Sequence, residues 1–333
     1  MRSERNYSLK EHNTFGIDAK CAQFLEYSSE AEAKVVAELL RSSRVPYIII
    51  GGGSNLLLTR DYEGIVVHSA CKGIERQGSH LICGSGEVFD DVVACSITQG
   101  LYGAENLSLI PGDVGASAVQ NIGAYGAEAK DMICSIRAIE IATGNVRVIE
   151  KAECEYAYRQ SKFKHDWKNQ YLIVSVDYQF SETFTPRLDY GNIRSELEKL
   201  GISEPTAQEL RDTIIRIREA KLPDPKVLGN AGSFFMNPIV PRSKYNELAA
   251  QYEGMPHYEV DAENVKIPAG WMIDQCGWKG KKLGSAGVHD KQALVLVNCG
   301  GATGQEIVTL CETIQKDVKQ KFGVDIRPEV NII

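Results

Sequence analysis

The sequence predicts a chain of mixed helices and strands divided into two or three domains, and three observations carry that expectation. The chain has 333 residues, more than one simple core accommodates. Its 43% hydrophobic and 24% charged residues are the proportions of an ordinary globular protein with a sizeable core. Segments with helical apolar spacing behind Ser or Thr caps are interleaved with β-branched runs that stop at glycine clusters.

Composition also narrows the function classes. A net charge of −7 argues against a nucleic-acid partner, so an anionic ligand would need locally placed cations. The first 19 residues lack an apolar stretch, and no apolar run reaches membrane-spanning length. No membrane partner is therefore expected. The nine cysteines are scattered without a Cys-x-x-Cys pair, which fits reduced thiols in a cytoplasmic protein rather than a disulfide framework. The six histidines show no His-Glu-x-x-His spacing, and no metal is indicated.

In chain order, Ser29 and Glu32 have capping-box spacing and open a helix expected to bury Val35, Val36, Leu39 and Leu40 on one face. The run Tyr47 to Ile50 reads as a strand ending in Gly51-Gly52-Gly53-Ser54-Asn55. Such an ending is either a tight turn or an anion-binding concavity of backbone N–H groups, with Ser54 and Asn55 adding donors. Gly-x-Gly-x-x-Gly is absent, so no dedicated nicotinamide dinucleotide domain is recognisable. Strands are expected at 65–68 and 81–83, then a helix from about 87 to 99.

Two further loops follow, one with Pro111, Gly112, Gly115 and Ala116, the other with Gln120, Asn121, Gly123, Ala124 and Tyr125. Their small residues suit either packing turns or a backbone lying against a flat ligand. A hairpin around 143–145, the segment Tyr158-Arg159-Gln160-Ser161 and a strong strand at 171–180 come next. Leu188-Asp189-Tyr190-Gly191 is a loop with an exposed aromatic. A second capping box, Thr206 with Glu209, opens a helix running to Lys221, where cations also offset the helix dipole.

The stretch 221–238, KLPDPKVLGNAGSFFMNP, places Ser233 between a glycine turn and two phenylalanines, with Asn237 behind them. It is either a capped turn or a device for presenting a hydroxyl. Beyond it lie Lys266 ahead of a helix, Gln292 ahead of a buried strand, and a long helix from Thr303 to Gly323. Glu329 stands in the terminal RPEVNII.

Taken together, GNAGSFF, GGGSNLLL, IPG…VGA…QNIGAYG, YRxS, VHxxQALVLVN and the terminal PEV resemble the UDP-N-acetylenolpyruvoylglucosamine reductase family, in family order from His12 to the end. Met236 stands where the family pattern has Lys, which leaves one anion contact or loop ion pair in doubt. The resemblance implies an α+β fold. An FAD-binding region of the vanillyl-alcohol oxidase and p-cresol methylhydroxylase type would occupy 12–185 as two subdomains. A C-terminal α+β substrate domain would follow over 205–325. The segment 326–333 would be a terminal strand carrying Glu329, and its return to the first subdomain is one arrangement open to it.

The implied cofactor is non-covalent FAD, held by Gly51, Gly52, Gly53, Ser54, Asn55, Pro111, Gly112, Gly115, Ala116, Gln120, Asn121, Gly123 and Ala124, with NADPH as reductant. The implied substrate is a nucleotide sugar, UDP-N-acetylglucosamine-enolpyruvate, contacted by Tyr125, Tyr190, Lys221, Asn237, Lys266 and Gln292. Arg159, Ser233 and Glu329 would be catalytic, and the protein a monomer. Two rivals stay open: a carbohydrate or alcohol oxidase on the same flavin fold, and a non-catalytic UDP-sugar-binding protein.

Overall fold

The computed structural model describes residues 1–333. The chain forms two compact units, neither continuous in sequence. The first comprises Met1–Tyr7, Cys21–Gly52 and Tyr62–Ala220; the second comprises Ser8–Lys20, Gly53–Asp61 and Lys221–Ile333.

The first unit holds two sheets. In one, the strand Tyr62–Ser69 lies between Lys20–Tyr27 and Tyr47–Ile50 and runs parallel to both. Its residues Gly64 to Val67 are buried without alternation, as expected of a parallel strand covered on both faces. The polar strand Arg2–Ser8, which carries no alternating apolar pattern, adds an edge. The helix Glu30–Ser42 connects the first two parallel strands and is capped by Ser29, which accepts the Glu32 N–H.

That helix buries Ala33, Val36, Ala37 and Leu40, whereas Val35 and Leu39 are exposed. The expected apolar face is therefore corrected. Each residue turns the helix by about 100°, so a stripe centred on 33, 36, 37 and 40 carries 39 round to its flank and 35 nearly to the opposite face. Two alanines on the stripe let the helix sit close to the strands.

The other sheet is antiparallel and five-stranded, ordered Val146–Glu150, Ile133–Glu140, Tyr171–Gln179, His80–Gly84 and Ile74–Gln77. The helices Phe89–Thr98 and Val114–Gln120 contribute Phe89, Val92, Val93, Val114 and Ala118 to its core. The helix Ala207–Lys221 belongs almost entirely to this first unit, whose boundary falls at Ala220. There Arg211 grips the Asp90 carboxylate with both nitrogens, at 2.6 and 2.9 Å. Leu210, Ile214 and Ile217 pack with Ile193 and Leu197, and Tyr125 lies against them.

In the second unit, Asn230–Ser233, Val295–Asn298, Ala286–Val288 and Lys282–Leu283 form an antiparallel sheet. The long helix Gly304–Phe322 has the expected Thr303–Glu306 capping box and ends at Gly323 in the left-handed conformation. A Cβ on Gly304 would lie 1.9 Å from the Leu58 carbonyl oxygen, so only glycine lets the helix start there. The terminal strand Asn331–Ile332 pairs in parallel with Leu56–Leu57. The segments 8–20 and 53–61 are thus tied to the C-terminal half of the chain.

Candidate active site

The glycine run 51–53 is shaped by its neighbours. A Cβ on Gly51 would stand 2.9 Å from the Ala116 Cβ, and one on Gly52 would stand 3.2 Å from an Asp113 oxygen. The two loops that sequence suggested as cofactor-binding therefore touch. Gly53 has φ +66°, and its Cβ would meet the His12 carbonyl oxygen at 2.0 Å. Gly115 is held against Ser85 and donates its N–H to the Ser85 carbonyl at 2.8 Å. Close backbone packing thus accounts for part of the glycine content that sequence could also read as ligand approach.

Beneath this loop, His68 reaches Glu26 through Nδ1 at 2.9 Å and Asp113 through Nε2 at 3.5 Å. Burial opposes the charge on His68 most strongly, but the hydrogen bonds it donates to the two carboxylates outweigh that and raise its pKa.

Arg159 occupies the tip of a tight turn in which Ala157 and Gln160 exchange backbone hydrogen bonds at 3.1 and 3.0 Å. Buried Ser161 pins that turn to the helix Val114–Gln120 by donating to the Val119 carbonyl at 2.6 Å. This explains the serine of the YRxS segment. The Arg159 guanidinium donates to the carbonyls of Gly123 and Asn121. A Cβ on Gly123 would lie 2.9 Å from Arg159 Nη1, so that glycine makes room for the guanidinium.

Asn121, Tyr125 and Arg159 all have positive φ, at 44°, 48° and 56°. Non-glycine residues persist there only when the surroundings hold them. Asn121 is fully buried, and its amide donates to Glu128 at 3.2 Å and Ala157 at 2.8 Å while accepting from the Lys130 N–H at 3.0 Å. Both its side-chain N–H groups are taken by protein, its backbone N–H donates to the Ser117 carbonyl, and its carbonyl accepts from Arg159. Gln120 differs: its Oε1 is buried with no hydrogen-bond partner.

One residue of this region escaped the sequence reading. Arg218, legible only as a helix-end cation, has a buried Nε without a partner. Burial pushes its pKa down, the Arg159 charge adds to that, and Tyr125 and Asp90 oppose it. Tyr190 is 41% exposed, with its ring edge-to-face against Tyr125 at 6.4 Å between centroids.

In the second unit, Ser233 ends its strand in an exposed position, directly after Gly232 at φ +67°. Phe234 and Phe235 anchor it from below, both essentially buried and 5.3 Å apart between centroids. The chain terminus runs alongside. Glu329 donates its N–H to the Phe234 carbonyl at 2.8 Å, Met236 donates to the Arg327 carbonyl at 2.9 Å, and Phe235 bridges Pro328. The backbones of Ser233 and Glu329 are brought together by this pairing. Asn55 donates to the Glu329 carbonyl at 3.3 Å, so its amide also supports the terminal segment.

Of the remaining candidates, Asn237 accepts the Ala269 N–H at 2.9 Å at the start of the helix Ala269–Gln275. Gln292 accepts from the Leu294 N–H at 3.3 Å. Lys266 lies 5.6 Å from the centre of the Tyr258 ring, and Lys221 is exposed at its helix end.

A family model described as the C-terminal domain of UDP-N-acetylenolpyruvoylglucosamine reductase matches residues 224–333, and one described as an FAD binding domain matches residues 21–150. A UDP-N-acetylenolpyruvoylglucosamine reductase of Bacteroides fragilis is 53% identical, covering 99% of this chain and 100% of its own. The chain belongs to the UDP-N-acetylenolpyruvoylglucosamine reductase family. Another reductase, from Flavobacterium johnsoniae, is 45% identical with both chains fully covered. The crystal structure of the reductase from Thermus caldophilus shares the fold, with a TM-score of 0.71 at 21% identity over 100% of this chain and 99% of that one.

As a member of the reductase family, the chain is an FAD-dependent oxidoreductase of α+β fold. The residues present fit that cofactor. The loops 51–52 and 112–116 approach so closely that only glycine fits at Gly51, a backbone-lined cradle of the kind that holds a pyrophosphate, and Gln120 offers a buried acceptor without a protein partner.

Proposed function

We propose that this protein reduces the enolpyruvyl group of UDP-N-acetylglucosamine-enolpyruvate, with NADPH as the electron source, to give UDP-N-acetylmuramate for peptidoglycan synthesis, shape maintenance and division. It acts in the cytoplasm, a reading supported by nine free cysteines, and as a monomer. The observation that carries the catalytic assignment is the pairing of the Glu329 segment with the Ser233 segment, which sets an acid and an exposed hydroxyl on adjacent backbones.

FAD, when bound, supplies the hydride carrier between NADPH and the vinyl carbon. Its holders are the 51–55 and 111–116 loops and the segment 120–124. Arg159 binds the substrate carboxylate, because its planar fork matches two carboxylate oxygens and keeps its charge. As negative charge gathers on that carboxylate during reduction, a fixed guanidinium stabilises it without reorganising. Its turn, its left-handed backbone and the Gly123 contact support such rigidity. Glu329 assists the same charged species, and Ser233 gives its hydroxyl proton to the α-carbon. Tyr190 covers the nucleotide end with Tyr125 beside it. Lys221, Asn237, Lys266 and Gln292 complete the substrate contacts. The Asn237 carbonyl already engages a helix start, so its contact would come from the amide N–H groups.

The test is a visible spectrum of the purified protein before and after anaerobic NADPH, followed by the UDP-sugar. A flavin spectrum bleached by NADPH and restored by the UDP-sugar is expected. Restoration by oxygen alone, with none by the UDP-sugar, would favour the oxidase rival and end this reading.

A further inference from the structure

We propose that Asn106 is a positioning residue for nucleotide-sugar binding, acting through Tyr125 and Tyr190. The inference rests on the substrate-covering role given above to Tyr190. Asn106 lies in the turn Glu105–Leu107 and is 2% exposed, so it acts through the groups it holds. Its Nδ2 donates to the Tyr125 carbonyl at 2.8 Å and to the Arg187 carbonyl at 3.0 Å. One amide nitrogen thereby fastens two separate segments, each of which carries one of the two tyrosines.

The two segments interlock reciprocally. A Cβ on Gly126, the neighbour of Tyr125, would sit 3.7 Å from Tyr190; a Cβ on Gly191, the neighbour of Tyr190, would sit 3.9 Å from the Tyr125 ring. Each tyrosine therefore packs over the other's glycine, and both glycines have positive φ, at 79° and 67°. Tyr125 itself is left-handed at 48°, a sparsely populated conformation that something must hold.

Asn106 holds the carbonyl of that residue. Its own turn is firm. Glu105 accepts the Gly103 N–H at 3.0 Å on each oxygen, and Ser108 donates to the Glu105 carbonyl at 2.6 Å. A short amide offers two N–H groups from one atom, which an apolar or hydroxyl side chain at this position would not do. Without them the Tyr125 and Arg187 carbonyls lose these donors, and the segment bearing Tyr190 is released from the segment bearing Tyr125.

The test compares Asn106→Leu, Asn106→Ser and Tyr190→Ala, all as FAD-loaded protein. Flavin reduction by NADPH and reoxidation by the UDP-sugar are followed separately under anaerobic conditions. For Asn106→Leu the UDP-sugar KM should rise on the order of tenfold while kcat and the reduction step change little. The double variant with Tyr190→Ala should be no worse than Tyr190→Ala alone. Trypsin cleavage after Arg187 should quicken, a readout independent of turnover.

An unchanged KM in Asn106→Leu, beside a raised KM in Tyr190→Ala, overturns the inference and leaves the covering role standing. An unchanged KM in Tyr190→Ala defeats the covering role itself. Equal loss in both half-reactions makes Asn106 a scaffold residue and also overturns the inference. Should Asn106→Leu fail to fold, Asn106→Ser decides by the same criteria.

Discussion

Replacing Ser233 with alanine separates chemistry from structure at this site. The side chain is exposed at the end of its strand, and the segment is held by backbone pairing with Val295 and by the buried Phe234 and Phe235. Alanine keeps all of that, so stability should move by no more than about 0.5 kcal/mol. Loss of a positioned proton donor, in contrast, costs about 10²–10⁴ in rate. That is about 2.7–5.4 kcal/mol of barrier, several times what the missing oxygen contributes to the fold. The effect should fall on one half-reaction. NADPH should bleach the variant at the normal rate, since no protein proton goes to the substrate carbon in that step, whereas reoxidation by the UDP-sugar should slow. Ser233→Cys should recover part of the loss, because a thiol is a stronger acid of similar reach. Anaerobic stopped-flow absorbance of each half-reaction is the assay. Reoxidation of Ser233→Ala at the wild-type rate would refute Ser233 as the donor.

Three further outcomes are expected. Tyr190→Phe should keep the edge-to-face contact with Tyr125 and Tyr190→Ala should lose it, so KM for the UDP-sugar should rise more in the alanine variant, read by steady-state kinetics. Asp90 has a depressed pKa: burial works against this, and the Arg211 guanidinium with the Leu109 N–H overcomes it. The resulting stabilisation is present above the ordinary value of 3.8 and is lost as pH falls through the lower folded value. Arg211→Met should therefore cost about 1.5–3 kcal/mol near neutrality and unfold at higher pH in an acid titration followed by circular dichroism. His68 has the opposite sign. Its raised pKa makes the bridge between Glu26 and Asp113 fully stabilising below 6.5 and progressively lost as pH rises through the folded value. Melting temperatures of the wild type should decline across that interval, and those of His68→Asn should be flatter.

The sequence by itself determined the local elements and the chemistry-bearing segments of this protein. The Ser29 and Thr303 caps are where spacing put them, the strand Tyr171–Gln179 follows its apolar run, and the last helix ends at Gly323. These are contacts among residues a few positions apart, so composition and periodicity contain them. Family order of the glycine loops, YRxS and GNAGSFF then carried cofactor and activity.

Tertiary structure decided the rest, because it depends on pairs far apart in the chain. Pairing of the terminus with Phe234 and Phe235 set Glu329 beside Ser233, and Leu56–Leu57 accepted the last strand. Nothing in the local pattern of either partner specifies the other. Val35 and Leu39 turned outward because the sheet selected the alanine-bearing stripe of their helix. Arg218 became a buried cation near Tyr125 and Arg159 through the docking of Ala207–Lys221, and Asn121 lost its side-chain donors to Glu128 and Ala157. A glycine or an asparagine in a sequence has several uses. Which one it serves is set by what the rest of the chain places within a few ångströms of it.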